Sequence, residues 1–269
     1  MQRLQQTYKS IHIQRFYVIE SLTSYHLLII ALIALFAGFV HGSIGLGFPL
    51  LSTAILSTMI DLRLAILVTL LPTITVNLLS IAKGGNWSIS VGKFWPLAVW
   101  CLIGSIAGAW VIAFNDPTPY KVLLALLIFL YLVIDRPYRS LLSFVKDYPK
   151  SSNLGFGLTA GFAAGSTNTM VPILVIYSLE AGWAKTVMIQ VFNLCFLSGK
   201  AAQVAVFSST GIFNWHVAMV TVPFAAVAAA GLFVGHTVQN RIDLNLFRKI
   251  IKFVLLVLGI VLLAQVLFL

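Results

Sequence analysis

The chain has 269 residues, of which 60% are hydrophobic and 9% charged, with a mean hydropathy of +1.00. A soluble domain carries about 25% charged residues, so this composition excludes a soluble enzyme or binding module and leaves a polytopic membrane protein. The formal charge of +10 does not point to nucleic acid, because the cations sit in short loops between apolar runs, at Arg136, Arg139, Lys146 and Lys150 and again at Arg241, Arg248, Lys249 and Lys252. Topology signals and contacts to anionic headgroups in the lipid bilayer are distributed in this way.

Residues 1–26 carry Arg3, Lys9 and Arg15, then Phe16 and Tyr17, with no small-residue cleavage site after a short apolar core. An amphipathic segment lying on the membrane surface is expected there, not a cleaved signal. Residues 27–60 are almost uninterruptedly apolar. A straight helix of that length would run to about 50 Å, against a hydrocarbon core of about 30 Å. Gly42, Gly45 and Gly47 followed by Pro49 mark the break, which predicts two half-length helices over 27–41 and 48–59. Helices are then expected over 64–82, 94–114 and 120–134, completing a first membrane repeat at 27–134. A polar linker at 135–153 separates it from a second repeat at 154–269, with a broken segment over 154–179 and helices over 186–207, 215–238 and 246–269. Cys101 and Cys195 lie inside apolar runs with no paired spacing and read as packing residues.

The two halves align in two stretches, each without a gap. An offset of 123 places Gly38 on Gly161, Gly42 on Gly165, Ser43 on Ser166 and Pro49 on Pro172, and an offset of 127 places Pro96 on Pro223, Gly104 on Gly231, Gly108 on Gly235 and Asp116 on Asp243. Matched interruptions in two homologous halves point to a transporter's binding site at the repeat interface. If each broken segment is a re-entrant hairpin, each half has an odd number of crossings and the halves are inverted; if each spans fully, they are parallel. Segment length favours the hairpins. Loop charge decides less, because the hairpin arrangement puts the basic N-terminus opposite the central linker. The fold class is therefore an all-α polytopic membrane protein of two four-segment repeats, expected to be inverted, each opening with a broken helix.

Non-helical backbone at membrane depth is tolerated where it is buried in protein or lines a polar cavity. A helix that restarts there offers free N–H groups to an anion. Gly45, Gly47 and Phe48 with Ser43 form the first such start, and Ser166, Thr167, Asn168 and Thr169 form the second. Lys200 lies mid-helix in an apolar stretch, at the position matching Asn77, with Asn193 on the same face. An intramembrane cation is functional by default, the alternative being a lysine that snorkels or pairs with a helix end. Asp61, Asp116, Asp135, Asp147, Glu180 and Asp243 all read as loop residues, so an anionic ligand is the expected partner of Lys200. His41 stands just before the first break, where it is a candidate for proton coupling or a neutral packing residue. There is no metal-ligand spacing, no Walker motif and no hydrolase elbow, so no metal, cofactor or enzymatic activity is expected.

The duplicated Gly-xxx-Gly-Ser-xxxx-Pro segment, the four-segment repeat and the helix bearing Ser198, Gly199 and Lys200 resemble the TauE/SafE sulfite exporter family over about residues 27–269. The resemblance implies a secondary transporter, an exporter of sulfite, sulfoacetate or related sulfonates across the bacterial inner membrane. It implies further that the broken segments and the helix faces after them form the anion site. Ser-Thr-Asn-Thr replaces glycines that the family often has in its second copy, so no single compound carries over. An anion channel, or an accessory or sensor protein, stands as the alternative. H⁺ is a possible coupling ion, and the oligomeric state is left open.

Overall fold

The computed structural model describes residues 23–84, 87–134, 144–241 and 243–268, and among these it is helical with no strand. The expected surface segment at 1–26 lies almost wholly outside the described residues, as do residues 135–143 of the expected linker; the rest of that linker is largely helical. The first half contains α1 (Ser24–Ile44), α2 (Phe48–Ser57), α3 (Leu62–Val68), α4 (Leu70–Lys83), α5 (Trp87–Phe114) and α6 (Thr118–Ile134). After the short α7 (Phe144–Asp147) come α8 (Pro149–Thr167), α9 (Val171–Glu180), α10 (Lys185–Ser209), α11 (Trp215–Val238) and α12 (Leu244–Phe268). By length and composition α1, most of α5, α10, α11 and α12 can each cross a membrane, and α3 with α4 adds another if the bent pair is one span.

Both expected interruptions are present, and their edges coincide under the sequence offset. α1 ends at Ile44 and α8 at Thr167; α2 begins at Phe48 and α9 at Val171. The helices stop because the next residue turns left-handed. Gly45 has φ 93° and returns its N–H to the His41 carbonyl at 2.7 Å, while Asn168 has φ 62° and returns its N–H to Ala164 at 2.9 Å. Asparagine is one of the few side chains that tolerates this conformation. The helices restart with Pro49 and Pro172 in the first turn, where a missing N–H costs nothing.

Three expectations need correction. The first part of each broken segment is not half-length: α1 has 21 residues and α8 has 19, because the glycines before the break stay helical. The helix expected over 64–82 is divided at Thr69 into α3 and α4, bent by 46°. Pro72 supplies the cause, since it has no N–H to donate to the Val68 carbonyl and its ring crowds that carbonyl. Its counterpart under the offset is Cys195, and α10 runs unbroken there. Glu180, read as a loop residue, instead closes α9 and is buried.

The duplicated glycines before each break build helix crossings. A Cβ on Gly38 or Gly42 would strike the backbone of Ala228 or Leu232 on α11, and one on Gly231 or Gly235 would strike Leu35 or Phe39 on α1. The same relation holds in the other half, where Gly161 and Gly165 face Cys101 and Ser105 while Gly104 and Gly108 face Leu158 and Phe162. Each opening helix thus packs, backbone to backbone, against the long helix of the opposite half, with both partners running in the same direction. Small residues permit this approach in membranes, where dispersion and packing drive association. α6 and α12 run antiparallel: Phe129 meets Gly259, while Ile134 shares a cavity with Arg248 and Ile251. Tyr177 near the end of α9 donates to Asn153 near the start of α8 at 2.7 Å, so these two helices fold back as a hairpin.

Turn residues fix the ends outside the membrane. Asp61 accepts from the N–H groups of Arg63 and Leu64, and Asp243 does the same for Asn245 and Leu246. Asp116 accepts from the N–H and hydroxyl of Thr118, which hold its carboxyl below the usual carboxylate range. Arg63 donates to the carbonyls of Ile112 and Asn115, closing the C-terminus of α5.

Candidate functional site

Lys200 is buried inside α10, 2% exposed, and its ammonium group donates to two neutral oxygens. One is Asn168 Oδ1 at the second break; the other is Gln203 Oε1, at 2.6 Å, one turn further along α10. No carboxylate among the described residues bonds to it. Both amides are themselves anchored. Asn168 Nδ2 donates to Thr53 Oγ1 on α2 at 2.6 Å and to Thr69 Oγ1 at the α3–α4 bend at 3.1 Å. Gln203 Nε2 donates to the carbonyls of Ala164 and Gly165 in the last turn of α8, at 3.1 and 3.0 Å. The network therefore ties α10 to the end of α8, and through Asn168 to two elements of the first half. Protonated in this position, Lys200 has its hydrogen-bonding needs partly met and no counter-charge bonded to it among the described residues, the condition under which an anion gains most from proximity.

The first break is organised differently. His41, 1% exposed, lies between the Phe48 N–H, 3.4 Å from its Nδ1, and the Ser80 hydroxyl, 3.0 Å from its Nε2. Nδ1 facing a backbone donor assigns the neutral tautomer with the proton on Nε2. His41 therefore caps α2, and since Pro49 has no N–H, little free donor capacity is left in that first turn. Asn193 on α10 donates to Ile189 at 2.7 Å and reaches the Gly45 carbonyl at 3.4 Å. Its Oδ1, like Asn77 Oδ1 on α4, is buried without a protein hydrogen-bond partner among the described residues. Such atoms are rare in folded proteins and call for a reason.

The hydroxyls proposed as donors are spent locally. Ser43 donates to Phe39 at 2.9 Å and approaches the Gly235 carbonyl, Ser166 donates to Phe162 at 2.8 Å, and Thr167 donates to Ala163 at 2.7 Å. Thr169 reaches the Thr167 carbonyl only at 3.4 Å.

A family model described as Sulfite exporter TauE/SafE matches residues 30–262, which takes in both broken segments, the Lys200 network and both glycine crossings. The chain belongs to that family. No curated protein and no solved structure gave a match. The TauE/SafE proteins are membrane transporters, and this chain is an integral multi-pass membrane protein of that kind.

In this TauE/SafE chain the sequence-predicted residues fall into two groups. Asn168 and Lys200 are joined directly, at the second break. His41, Gly45, Phe48 and Asn193 are joined at the first. Gly47 serves as the left-handed start of α2, with φ 111°. Asn77 bonds only within its own helix, to Thr73, and is not joined to the Lys200 network. Sequence reading missed Thr53 and Thr69, which hold the Asn168 amide. Polar residues in otherwise apolar runs were their one visible trace. Nothing in their spacing marks them, because their match under the offset is Ile176 and Phe192.

Proposed function

We propose that the protein is a secondary transporter that exports a small sulfur-containing anion, such as sulfite, sulfoacetate or another organosulfonate, across the bacterial inner membrane by alternating access. The observation that carries this reading is the buried ammonium of Lys200, held by two neutral amides at a helix break. An oxyanion beside it supplies the missing charge and accepts from the ammonium itself. Asn77 and Asn193 are the remaining polar groups proposed to face the ligand, each by turning its amide N–H from the backbone carbonyl it now holds. Because the cell interior is negative, outward movement of one negative charge is favoured by about 2.3 kcal/mol per 100 mV. No nucleotide motif is needed for that, and His41 is kept as a possible coupling group for H⁺.

Alternating access is read here through inverted repeats of residues 27–134 and 154–269, joined by the 135–153 linker. Three features support inversion: the antiparallel α6 and α12, which end the two halves; the α8–α9 hairpin; and the equal edges of the two breaks. Swapped crossings of α1 with α11 and α8 with α5 give two similar bodies able to rock about the central network.

The test is thermal stability of detergent-purified wild type and Lys200→Met, titrated with sulfite, sulfoacetate, sulfate and chloride. A ligand bound only by the folded state raises the melting temperature by mass action. One sulfur oxyanion should stabilise wild type and leave Lys200→Met unmoved. If no anion shifts either protein, or both shift alike, the central anion site is wrong.

A further inference from the structure

A second group of cations lies away from Lys200. Lys185 at the start of α10 and Arg248 and Lys252 on the first turns of α12 line one cavity of about 230 Å³. Its apolar wall includes Ile44 and Leu46, on either side of the Gly45 turn, and Ile189. The floor of the cavity is therefore the first break itself. Ile189 also lies against Gly45, so close that a Cβ there would fall 2.8 Å from Ile189 Cδ1. One helical turn beyond Ile189, Asn193 reaches the Gly45 carbonyl.

These residues form a line. Lys185, Ile189, Asn193 and Lys200 are spaced four, four and seven apart on α10, which puts them on one face. The distance from Lys185 to Lys200 along the axis is roughly 22 Å, so the line runs from a helix end to membrane depth. Lys185 opens α10 at the end of the molecule where α6 finishes and α12 starts. Gln190 donates to the Gly84 carbonyl at 2.6 Å, which brings the end of α4, with Lys83, to the same face. Among the described residues this face also carries Lys150 and Arg241, with Asp147, Glu180 and Asp243, whereas the opposite one carries only Arg63 and Lys121 as cations, beside Asp61 and Asp116. Charge asymmetry of that sign marks the cytoplasmic side.

We propose that the Lys185–Arg248–Lys252 cavity is a cytoplasmic loading site for small oxyanions, which concentrates the transported anion at the first break before it moves along α10 to Lys200. This rests on the transporter reading above. A cleft lined by one sign of charge with low-dielectric walls raises the local concentration of the opposite ion and its capture rate, and does so less as salt screens it. The loading site thus acts on capture, whereas Lys200 acts on occupancy at the centre.

The experiment uses the full chain in vesicles of neutral phosphatidylcholine, with sulfite and sulfoacetate as probes presented to the face of the cavity. Wild type, Arg248→Gln with Lys252→Gln, and Lys200→Met are compared. The double variant should keep its maximal rate and raise the half-saturation concentration about tenfold, the lower range of electrostatic focusing. High salt should bring wild type up to the same value. A double variant that matches wild type at low salt, while Lys200→Met is inactive, overturns the loading site and leaves the central site standing. If wild type moves neither probe, the transporter reading falls and the loading site with it. An anionic lipid headgroup offers the same chemistry, so the series is repeated with phosphatidylglycerol added. A defect of the double variant that appears only in those vesicles assigns the cavity to lipid and overturns the proposal.

Discussion

The two helix breaks have the same backbone and different chemistry. Both end a long helix on a left-handed residue, Gly45 or Asn168, and both restart on a proline one residue into the next helix. At the first break the left-handed residue has no side chain, and its surroundings are closed by His41, Ile189 and Asn193. At the second, the left-handed residue has an amide that binds Lys200 on one side and Thr53 and Thr69 on the other. The same break geometry thus occurs twice, and the buried polar network is concentrated at one of the two. The counterpart of Lys200 is Asn77, whose side-chain carbonyl oxygen has no hydrogen-bond partner among the described residues.

The scaffold half of that comparison is tested by the largest expected effect. Gly38→Leu and Gly161→Leu, at matched positions, should both abolish folded protein in detergent, because each Cβ meets the backbone of the opposing helix rather than a side chain able to move. Gly155→Leu on α8, which faces open space, should fold like wild type. Size-exclusion profiles of the three decide this. If either crossing variant folds normally, the two crossings are not equivalent.

The chemical half is tested next by Asn168→Gly. Glycine keeps the left-handed turn and removes the amide, so fold and expression should survive while anion affinity falls by about tenfold, the worth of a charge-assisted hydrogen bond of roughly 1.5 kcal/mol. Gly45→Asn is the reciprocal change. It should cost stability through contact with Ile189 and create no new anion dependence, since Asn77 offers no cation. Titrated melting curves read both. Equal affinity for wild type and Asn168→Gly would show that the amide serves only to seat Lys200.

His41→Gln should matter less than either. A glutamine can still accept from the Phe48 N–H, so melting should change little, whereas His41→Ala removes the cap and should cost about 1 kcal/mol. Transport that keeps its pH profile in His41→Gln would place the coupling proton elsewhere.

Much of this arrangement was legible in the sequence. The apolar runs, the two breaks and the match between halves follow from hydropathy and glycine spacing, which report burial and backbone freedom directly. Lys200 could be singled out because a cation in an apolar run is costly wherever it points. What periodicity could not give was the direction of short polar side chains. A serine or threonine in an apolar helix bonds its own backbone as readily as a ligand, and spacing looks the same in both cases. The bend at Thr69 was hidden for a different reason: Pro72 falls midway in the helix expected over 64–82, but a proline there need not divide a helix, as Pro96 in α5 and Pro223 in α11 do not.

The smallest predicted effect bears on that ambiguity. Ser43 and Ser166 occupy matched positions, and each donates its one hydroxyl hydrogen to the carbonyl four residues back, at 2.9 and 2.8 Å. A hydroxyl so engaged has only acceptor capacity left, which repels an oxyanion rather than holding it. Ser43→Ala and Ser166→Ala should therefore change sulfite and sulfoacetate affinity by less than about twofold, and stability by a few tenths of a kcal/mol, since a helix loses little when such a back-bond is removed. Ser43 also approaches the Gly235 carbonyl across the crossing, so its replacement should be the more costly of the two. A tenfold loss of affinity in either variant would mean that the hydroxyl turns from the backbone to the anion on binding, and would return that serine to the site.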